Sequence, residues 1–136
     1  MLTRTLVLVP LLMSFGAAFA EGELPPTMQG TWNAAGSAMV GGTVVEVVKV
    51  LGPDKADVKL TMNDLKARAP AAGAARCSFT ETGVAQLKGD SWTVQVQSQS
   101  CANVTLTIKW VPGKRRFEGQ FKSDAGVTGS VFYEWI

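Results

Sequence analysis

Apolar and polar residues alternate with a period of two along most of this chain, and no other feature of the sequence constrains the fold as strongly. Between residues 91 and 97, Trp and Val occupy one face while Thr and Gln occupy the other. Residues 104–110 and 117–122 alternate in the same way. Successive side chains of a β-strand point to opposite faces, so this pattern is typical of an antiparallel sheet with one dry face.

Short clusters of Gly, Pro and Asp separate the alternating segments, as at Gly41-Gly42, Gly89-Asp90 and Pro112-Gly113. Strands are predicted near residues 29–36, 43–51, 56–63, 76–87, 91–99, 103–111, 116–123 and 127–135. Eight strands in a single open layer would leave their apolar face in water, so the sheet must close on itself or pack on a second sheet. We predict an all-β fold, a single antiparallel up-and-down barrel of about eight strands, with a β-sandwich as the alternative.

The segment Gly-Thr-Trp at residues 30–32 resembles the G-x-W signature that opens the first strand of calycin barrels, the lipocalins and avidins. Residues 91–94 and 117–121 are similar to later avidin strands. The resemblance implies a calycin-like barrel in which Gly lets a neighbouring chain approach. It would also make Asn33 and Ser37 polar ligands. Relative to avidin, however, one residue is missing after the tryptophan, so both side chains are expected to point outward if the tryptophan points inward.

The first twenty residues are organised like a secretory signal peptide. Arg4 supplies the positive charge, and Ala18-Phe19-Ala20 forms a small-x-small cleavage site. The apolar run between them is about 13 residues, too short for a membrane-spanning helix of roughly 20. We expect cleavage after Ala20, which leaves residues 21–136 as one domain in the periplasm or outside the cell.

Cys77 and Cys101 are the only two cysteines, and in an exported chain they are predicted to form a disulfide. Closing a loop of about 25 residues contributes about 3 kcal/mol in the chain-entropy model. A two-residue turn at Gly89-Asp90 would place Cys77 opposite Ala102. Pairing with Cys101 is therefore expected to need a β-bulge, and Gly83 is its natural position.

The segment from Asn63 to Arg76 interrupts the alternation. Asn63 is expected to cap a short helix over residues 64–69, which Pro70 ends, and an Ala-rich loop follows. This is the longest connection in the domain. It is interpreted either as a lid over a cavity or as a tolerated insertion.

Several function classes are disfavoured by composition. The chain has no histidine, the commonest general base and metal ligand, and no G-x-S-x-G or phosphate-binding motif. Its net charge of +2 does not indicate a basic surface for binding nucleic acid or a polybasic membrane anchor. We expect neither an enzyme nor a bound metal or cofactor.

The leading hypothesis is a non-catalytic binding protein that holds a small apolar or amphipathic ligand inside the barrel. The candidate cavity walls are aromatic: Trp92, Trp110, Phe121 and Trp135. The same side chains would equally serve as a packed core, since a small barrel can be filled by its own residues.

Glu46 is the candidate polar contact of that ligand. Residues 43–51 are apolar on both faces, and each face carries one charge. Either Glu46 or Lys49 is therefore expected to point inward, where an unpaired charge is costly. The alternative is that the charge lies near the strand end, in water.

The second hypothesis is a protein-binding module of the cell envelope, an inhibitor or accessory factor. It would act through loops, residues 63–76 first and the basic turn at residues 114–116 second. The final strand is apolar on both faces, with Phe132 and Ile136 flanking Glu134, which predicts either homodimerisation through this strand or coverage by residues 24–26. A cavity larger than about 300 Å³ would favour the ligand hypothesis.

Overall fold

The computed structural model describes residues 22–67 and 76–135, which form eight antiparallel strands. Each strand pairs with its neighbours in sequence, and the last pairs with the first, so the sheet is a closed barrel. The strands are β1 (Thr27–Ala34), β2 (Val40–Gly52), β3 (Lys55–Lys66), β4 (Arg76–Lys88), β5 (Ser91–Val96), β6 (Val104–Val111), β7 (Arg116–Ser123) and β8 (Thr128–Trp135). The predicted barrel is confirmed, whereas the predicted signal peptide lies outside the described residues.

The alternating pattern determines which side chains enter the barrel. Across β5 and β6, Trp92 is paired with Ile108 and Val94 with Leu106, and all four side chains are buried. The predicted register of the β4–β5 hairpin is also confirmed, because Leu87 lies opposite Trp92. Hairpin turns of two residues fix such a register directly.

The middle of the barrel is filled by large side chains. Those with almost no exposed surface include Trp32, Tyr133, Phe117, Met28, Leu60, Met62 and Leu65. Within this core the hydroxyl groups of Thr43 and Tyr133 share a hydrogen bond of 2.8 Å. Burial raises the pKa of the Tyr133 phenol above its ordinary value, because the anion would lose its hydration.

Glycines lie where neighbouring strands cross most closely. A side chain at Gly30 in β1 would overlap the backbone carbonyl of Phe132 in β8. At Gly119 in β7, it would overlap the carbonyl of Thr107 in β6. The role predicted for Gly30, admitting the adjacent chain, is confirmed. Only a residue without Cβ permits this approach, and tight strand coiling of this kind closes a small barrel.

The predicted helix over residues 64–69 is wrong for all four of its described residues: residues 64–66 belong to β3, and Ala67 is not helical. The β3–β4 pairing shifts between Met62 and Leu65, and Asp64 adopts a positive φ of 63° at this bulge. The bulge allows Leu65 to reach the core, so burial overrides the local capping signal of Asn63. Residues 68–75 of the predicted helix and loop lie outside the described part of the chain.

The predicted disulfide between Cys77 and Cys101 is present, with their Cα atoms 5.6 Å apart. The bulge expected near Gly83 is not found in the described pairing, which runs without a shift from Lys88–Ser91 to Val84–Gln95. Strand β5 instead ends at Val96. The connection over residues 97–103 then brings Cys101 against Cys77.

Candidate ligand-binding cavity

The antiparallel topology gives the barrel two distinct ends. At one end lie the β1–β2, β3–β4, β5–β6 and β7–β8 connections together with the disulfide, and this is called the disulfide end. At the other end lie the β2–β3, β4–β5 and β6–β7 turns, the segment before β1 and the end of β8, and this is called the open end. The two ends present different surfaces to any ligand.

The disulfide end is plugged by Trp32. Its indole is fully buried, and its Nε1 donates a hydrogen bond to the Asn63 carbonyl at 2.8 Å. Phe121 packs edge-on against it at a centroid distance of 5.6 Å, and a side chain at Gly41 would collide with the indole. Among the described residues, a satisfied and closely packed indole of this kind fills the interior of the barrel near this end.

The open end contains a cavity of about 700 Å³. Its apolar lining includes Leu24, Val47, Val50, Leu87, Trp92 and Trp110. Small-molecule sites are typically apolar clefts of about 300–1,000 Å³. The volume therefore lies within the range that favours the ligand hypothesis.

A β-bulge in β2 shapes one wall of this cavity. The β2–β3 pairing shifts between Val47 and Lys49, so that Val50 lies opposite the buried Ala56 on the inner face. Although it faces inward and lines the cavity, Val50 remains 70% exposed. An apolar side chain on the inner face of a barrel is normally covered by its neighbours. Here the surrounding strands leave the Val50 side chain uncovered.

The same bulge corrects the expectation for Glu46. Glu46 is exposed on the outer surface opposite Lys59, and Lys49 is exposed as well. Uninterrupted alternation would have turned one of the two charges inward, but the bulge places both on the outside. Neither of these two residues lines the cavity.

The segment before β1 forms another wall. Trp92 is almost fully buried, and its Nε1 donates a hydrogen bond to the Gly22 carbonyl at 2.6 Å. Leu24 is buried against the core, and the Pro26 carbonyl accepts a hydrogen bond of 2.8 Å from the Val47 amide. Residues 22–26 are therefore held along the cavity by contacts at both ends and in the middle.

Trp110 supplies the wall opposite. Its half-buried ring packs against Phe117 at 5.3 Å and Trp135 at 6.2 Å between centroids. Its buried Nε1 has no hydrogen-bond partner within the described part of the chain. An unsatisfied buried donor lowers the stability of the folded protein by about 1–3 kcal/mol. A ligand with an acceptor atom that reached Nε1 would recover part of this cost by forming a hydrogen bond.

The sequence-predicted aromatic residues divide between the two ends. Trp92 and Trp110 line the cavity, and Trp135 lies beside Trp110 with 44% of its surface exposed. Phe121 belongs to the packing around Trp32 at the disulfide end and does not line this cavity. Sequence reasoning missed Leu24 and Val50. Leu24 could have been suspected from its position beside Pro25-Pro26, whereas nothing in the sequence marked the bulge that places Val50.

Charged side chains lie at the cavity mouth rather than inside it. Lys55, Glu23 and Asp90 contribute to its lining. Asp90 lies 3.8 Å from Lys109, and both side chains are well exposed, so the pair contributes little stability. Lys55 makes no ion pair with any described residue. A ligand's polar group would meet these side chains at the mouth.

On the outer face of β8, Phe132 is covered by the chain itself. The Arg116 guanidinium lies 4.5 Å from the centre of the Phe132 ring. Arg116 also hydrogen-bonds Glu118, and this bond holds the pKa of the Glu118 carboxyl below its usual value. The predicted cover, residues 24–26, is therefore replaced at Phe132 by the Arg116 side chain. Homodimerisation through this strand stays a prediction.

Among the described residues, no group of three or more His, Cys, Asp or Glu side chains could hold a metal ion. A helix long and apolar enough to cross a membrane does not occur between residues 22 and 67 or between 76 and 135. Comparison of the chain with models of known families, with curated proteins and with solved structures found no match.

Proposed function

We propose that this chain is a non-catalytic binding protein that holds a small apolar or amphipathic ligand at the open end of its barrel. The observation that carries the proposal is the cavity of about 700 Å³ between Trp92 and Trp110. Buried apolar surface of this kind stabilises a bound apolar group by about 25 cal/mol for each Å² removed from water.

The lining suggests how such a ligand would be oriented. Its apolar body would contact the two indoles and the aliphatic side chains of Leu24, Val47 and Leu87. Its polar group would remain at the mouth, near Lys55, where water and charge are accessible. An elongated amphipathic molecule satisfies both conditions without burying a charge.

A probe titration tests the proposal. The uncharged dye N-phenyl-1-naphthylamine fluoresces in apolar surroundings and is small enough for the cavity. Val50→Trp fills the inner face of the mouth, and because Val50 is 70% exposed the added ring costs little stability. We expect this variant to weaken dye binding by about tenfold, which corresponds to the loss of about 1.4 kcal/mol of binding free energy.

Val40→Trp is the matched control, because Val40 is 51% exposed at the disulfide end. It should bind the dye as the unchanged chain does. Equal affinities in all three proteins, or a loss in the control alone, would contradict a site at the open end. Native mass spectrometry of chain purified gently from its host would then give the mass of any co-purifying ligand.

The protein-binding alternative stays a prediction. Its first loop lies largely outside the described residues, and in its second, the turn at residues 114–116, both Lys114 and Arg116 contact Glu118. In that turn Arg115 alone makes no ion pair with a described residue.

A further inference from the structure

Trp110 carries a polar atom that the described part of the chain leaves unpaired. Its Nε1 is buried and has no hydrogen-bond partner within residues 22–67 and 76–135. Folded proteins pair nearly all of their buried donors, because an unpaired donor has given up its hydrogen bonds to water without replacing them. Trp110 lines the cavity at the open end, so a bound ligand is in a position to supply the missing partner.

The side chains that pack on Trp110 do not take the place of this partner. The rings of Phe117 and Trp135 lie at centroid distances of 5.3 and 6.2 Å from the Trp110 ring. An aromatic ring is a much weaker acceptor than an oxygen atom, and the indole nitrogen of Trp135 is itself a donor. An oxygen atom would therefore bind the Trp110 donor more strongly than either neighbour does.

Other polar groups of the cavity wall are already engaged. Nε1 of Trp92, the second indole of the cavity, donates a hydrogen bond to the Gly22 carbonyl at 2.6 Å. The Val47 amide donates to the Pro26 carbonyl at 2.8 Å. Among the buried side chains that the structure describes, Trp110 is the one that offers a ligand a free donor.

We infer that the ligand carries an uncharged carbonyl oxygen, as a ketone or an ester does, and that Nε1 of Trp110 donates a hydrogen bond to it. This inference rests on the proposed function and narrows the class of ligand. A carboxylate would lose its hydration in a mainly apolar lining, which is costly for a charged group. A hydroxyl or a primary amide would bring donors of its own into the same apolar surroundings.

The hydrogen bond requires one neighbour of Trp110 to move, because its Nε1 is enclosed in the structure. Of the two rings packed on Trp110, that of Phe117 is fully buried, whereas Trp135 is 44% exposed. Exposed side chains change rotamer rapidly and without a change in the backbone. Trp135 is therefore the neighbour able to give way to the carbonyl group.

A matched pair of ligands tests the inference with the purified chain. The ketone 6-propionyl-2-dimethylaminonaphthalene has nearly the same shape as 6-propyl-2-dimethylaminonaphthalene, in which a methylene group replaces the carbonyl. Equilibrium dialysis gives the affinity of each ligand. The ratio of the two affinities is compared between the unchanged chain and its variants, so that the different cost of taking each ligand out of water cancels.

Trp110→Phe keeps an aromatic ring and removes the donor. We expect it to lower the ratio of ketone affinity to propyl-analogue affinity by about tenfold. Trp92→Phe is the matched control, because it makes the same change at an indole whose donor is already bonded within the chain. There the ratio should stay within about twofold. An unchanged ratio in Trp110→Phe, or equal losses in both variants, overturns the inference.

The inference and the proposed function fail in different ways. If the unchanged chain binds neither these ligands nor N-phenyl-1-naphthylamine, the proposed function is wrong and the inference falls with it. If both ligands bind and their affinity ratio does not depend on Trp110, the cavity takes apolar molecules but Nε1 is not their donor.

Proton–nitrogen correlation NMR of the unchanged chain gives a reading that needs no variant. A hydrogen bond to a carbonyl oxygen moves the proton resonance of the donor downfield. The ketone should therefore move the indole N–H resonance of Trp110 further downfield than the propyl analogue does. Equal displacements by the two bound ligands would overturn the inference.

Discussion

The two ends of this barrel are made from the same strands, and each has a β-bulge that turns an apolar side chain inward. They differ in whether that side chain is then buried. At the disulfide end, the bulge in β3 brings Leu65 into the core with no exposed surface. At the open end, the bulge in β2 brings Val50 to the inner face, where it stays 70% exposed. The first bulge completes a packed layer, and the second lines a cavity.

The tryptophans show the same contrast. Trp32 at the disulfide end is fully buried, with its indole nitrogen bonded to a neighbouring strand. Trp110 at the open end is half-buried, and its indole nitrogen has no partner among the residues described. The disulfide end is therefore closely packed, whereas the open end keeps an incompletely packed cavity, and the packed middle of the barrel separates the two.

Truncating Trp32 should have the largest effect. We expect Trp32→Ala to lower the free energy of unfolding by about 3–5 kcal/mol, since it empties the plug and leaves the Asn63 carbonyl without its donor. Trp110→Ala, at a half-buried site, should cost less than half as much. Urea unfolding followed by circular dichroism measures both, and equal losses would contradict the contrast between the ends.

Removing the disulfide should weaken the fold but spare the cavity. Replacing Cys77 and Cys101 with Ala opens a loop with a sequence separation of 24 residues and should cost about 3 kcal/mol. The naphthylamine affinity should not change in native conditions, because the disulfide and the cavity lie at opposite ends. A parallel loss of dye affinity in folded protein would show that the two ends are coupled.

Ionisation of Tyr133 can be used to test whether the middle of the barrel excludes water. Tyr133 is fully buried, and as the only tyrosine in the chain it gives the only phenolate signal. Its folded-state pKa is raised by burial, so the neutral phenol is favoured in the folded protein. The contribution of the neutral phenol to the free energy of unfolding is fully present below the unfolded pKa of about 10. It declines as pH rises above that value, by about 1.4 kcal/mol at about pH 11.

Phenolate absorbance, followed against pH together with circular dichroism, measures this behaviour. The phenolate signal should appear only as the barrel unfolds. Ionisation near the ordinary pKa with the fold intact would contradict a dry core, and Tyr133→Phe should remove the signal altogether.

Conservative replacement of the two indoles should give smaller effects than their truncation, and the effects should differ between the two ends. Trp110→Phe removes an unsatisfied donor, so the free energy of unfolding should stay the same or rise by up to about 1 kcal/mol. Trp32→Phe removes a bonded donor and should lower it by about 1–3 kcal/mol. A marked loss at Trp110 would indicate that its Nε1 is already satisfied in solution.

Most of the fold could be predicted because alternation and turn residues are local signals. The eight strands, the Gly89-Asp90 register and the disulfide were all within reach of the sequence. The bulges after Val47 and after Met62 were not, because a bulge is decided by which side chains can be buried across the whole barrel. Each of them reversed a local expectation, the helix after Asn63 and the inward charge at Glu46 or Lys49.

The candidate site was predictable only in part for the same reason. Trp92 and Trp110 could be assigned to the inner face from alternation alone, but alternation does not tell one end of a barrel from the other. Phe121 has the same pattern, yet it packs around the plug.

The most direct test of the central claim uses the indole N–H resonances of the four tryptophans, which are spread over both ends. Titration of labelled protein with N-phenyl-1-naphthylamine, followed by proton–nitrogen correlation NMR, reports each indole separately. We predict that the resonances of Trp92 and Trp110 shift together while that of Trp32 does not move. A shift of Trp32 alone, or no shift at Trp92 and Trp110 while the dye binds, would contradict a ligand cavity at the open end.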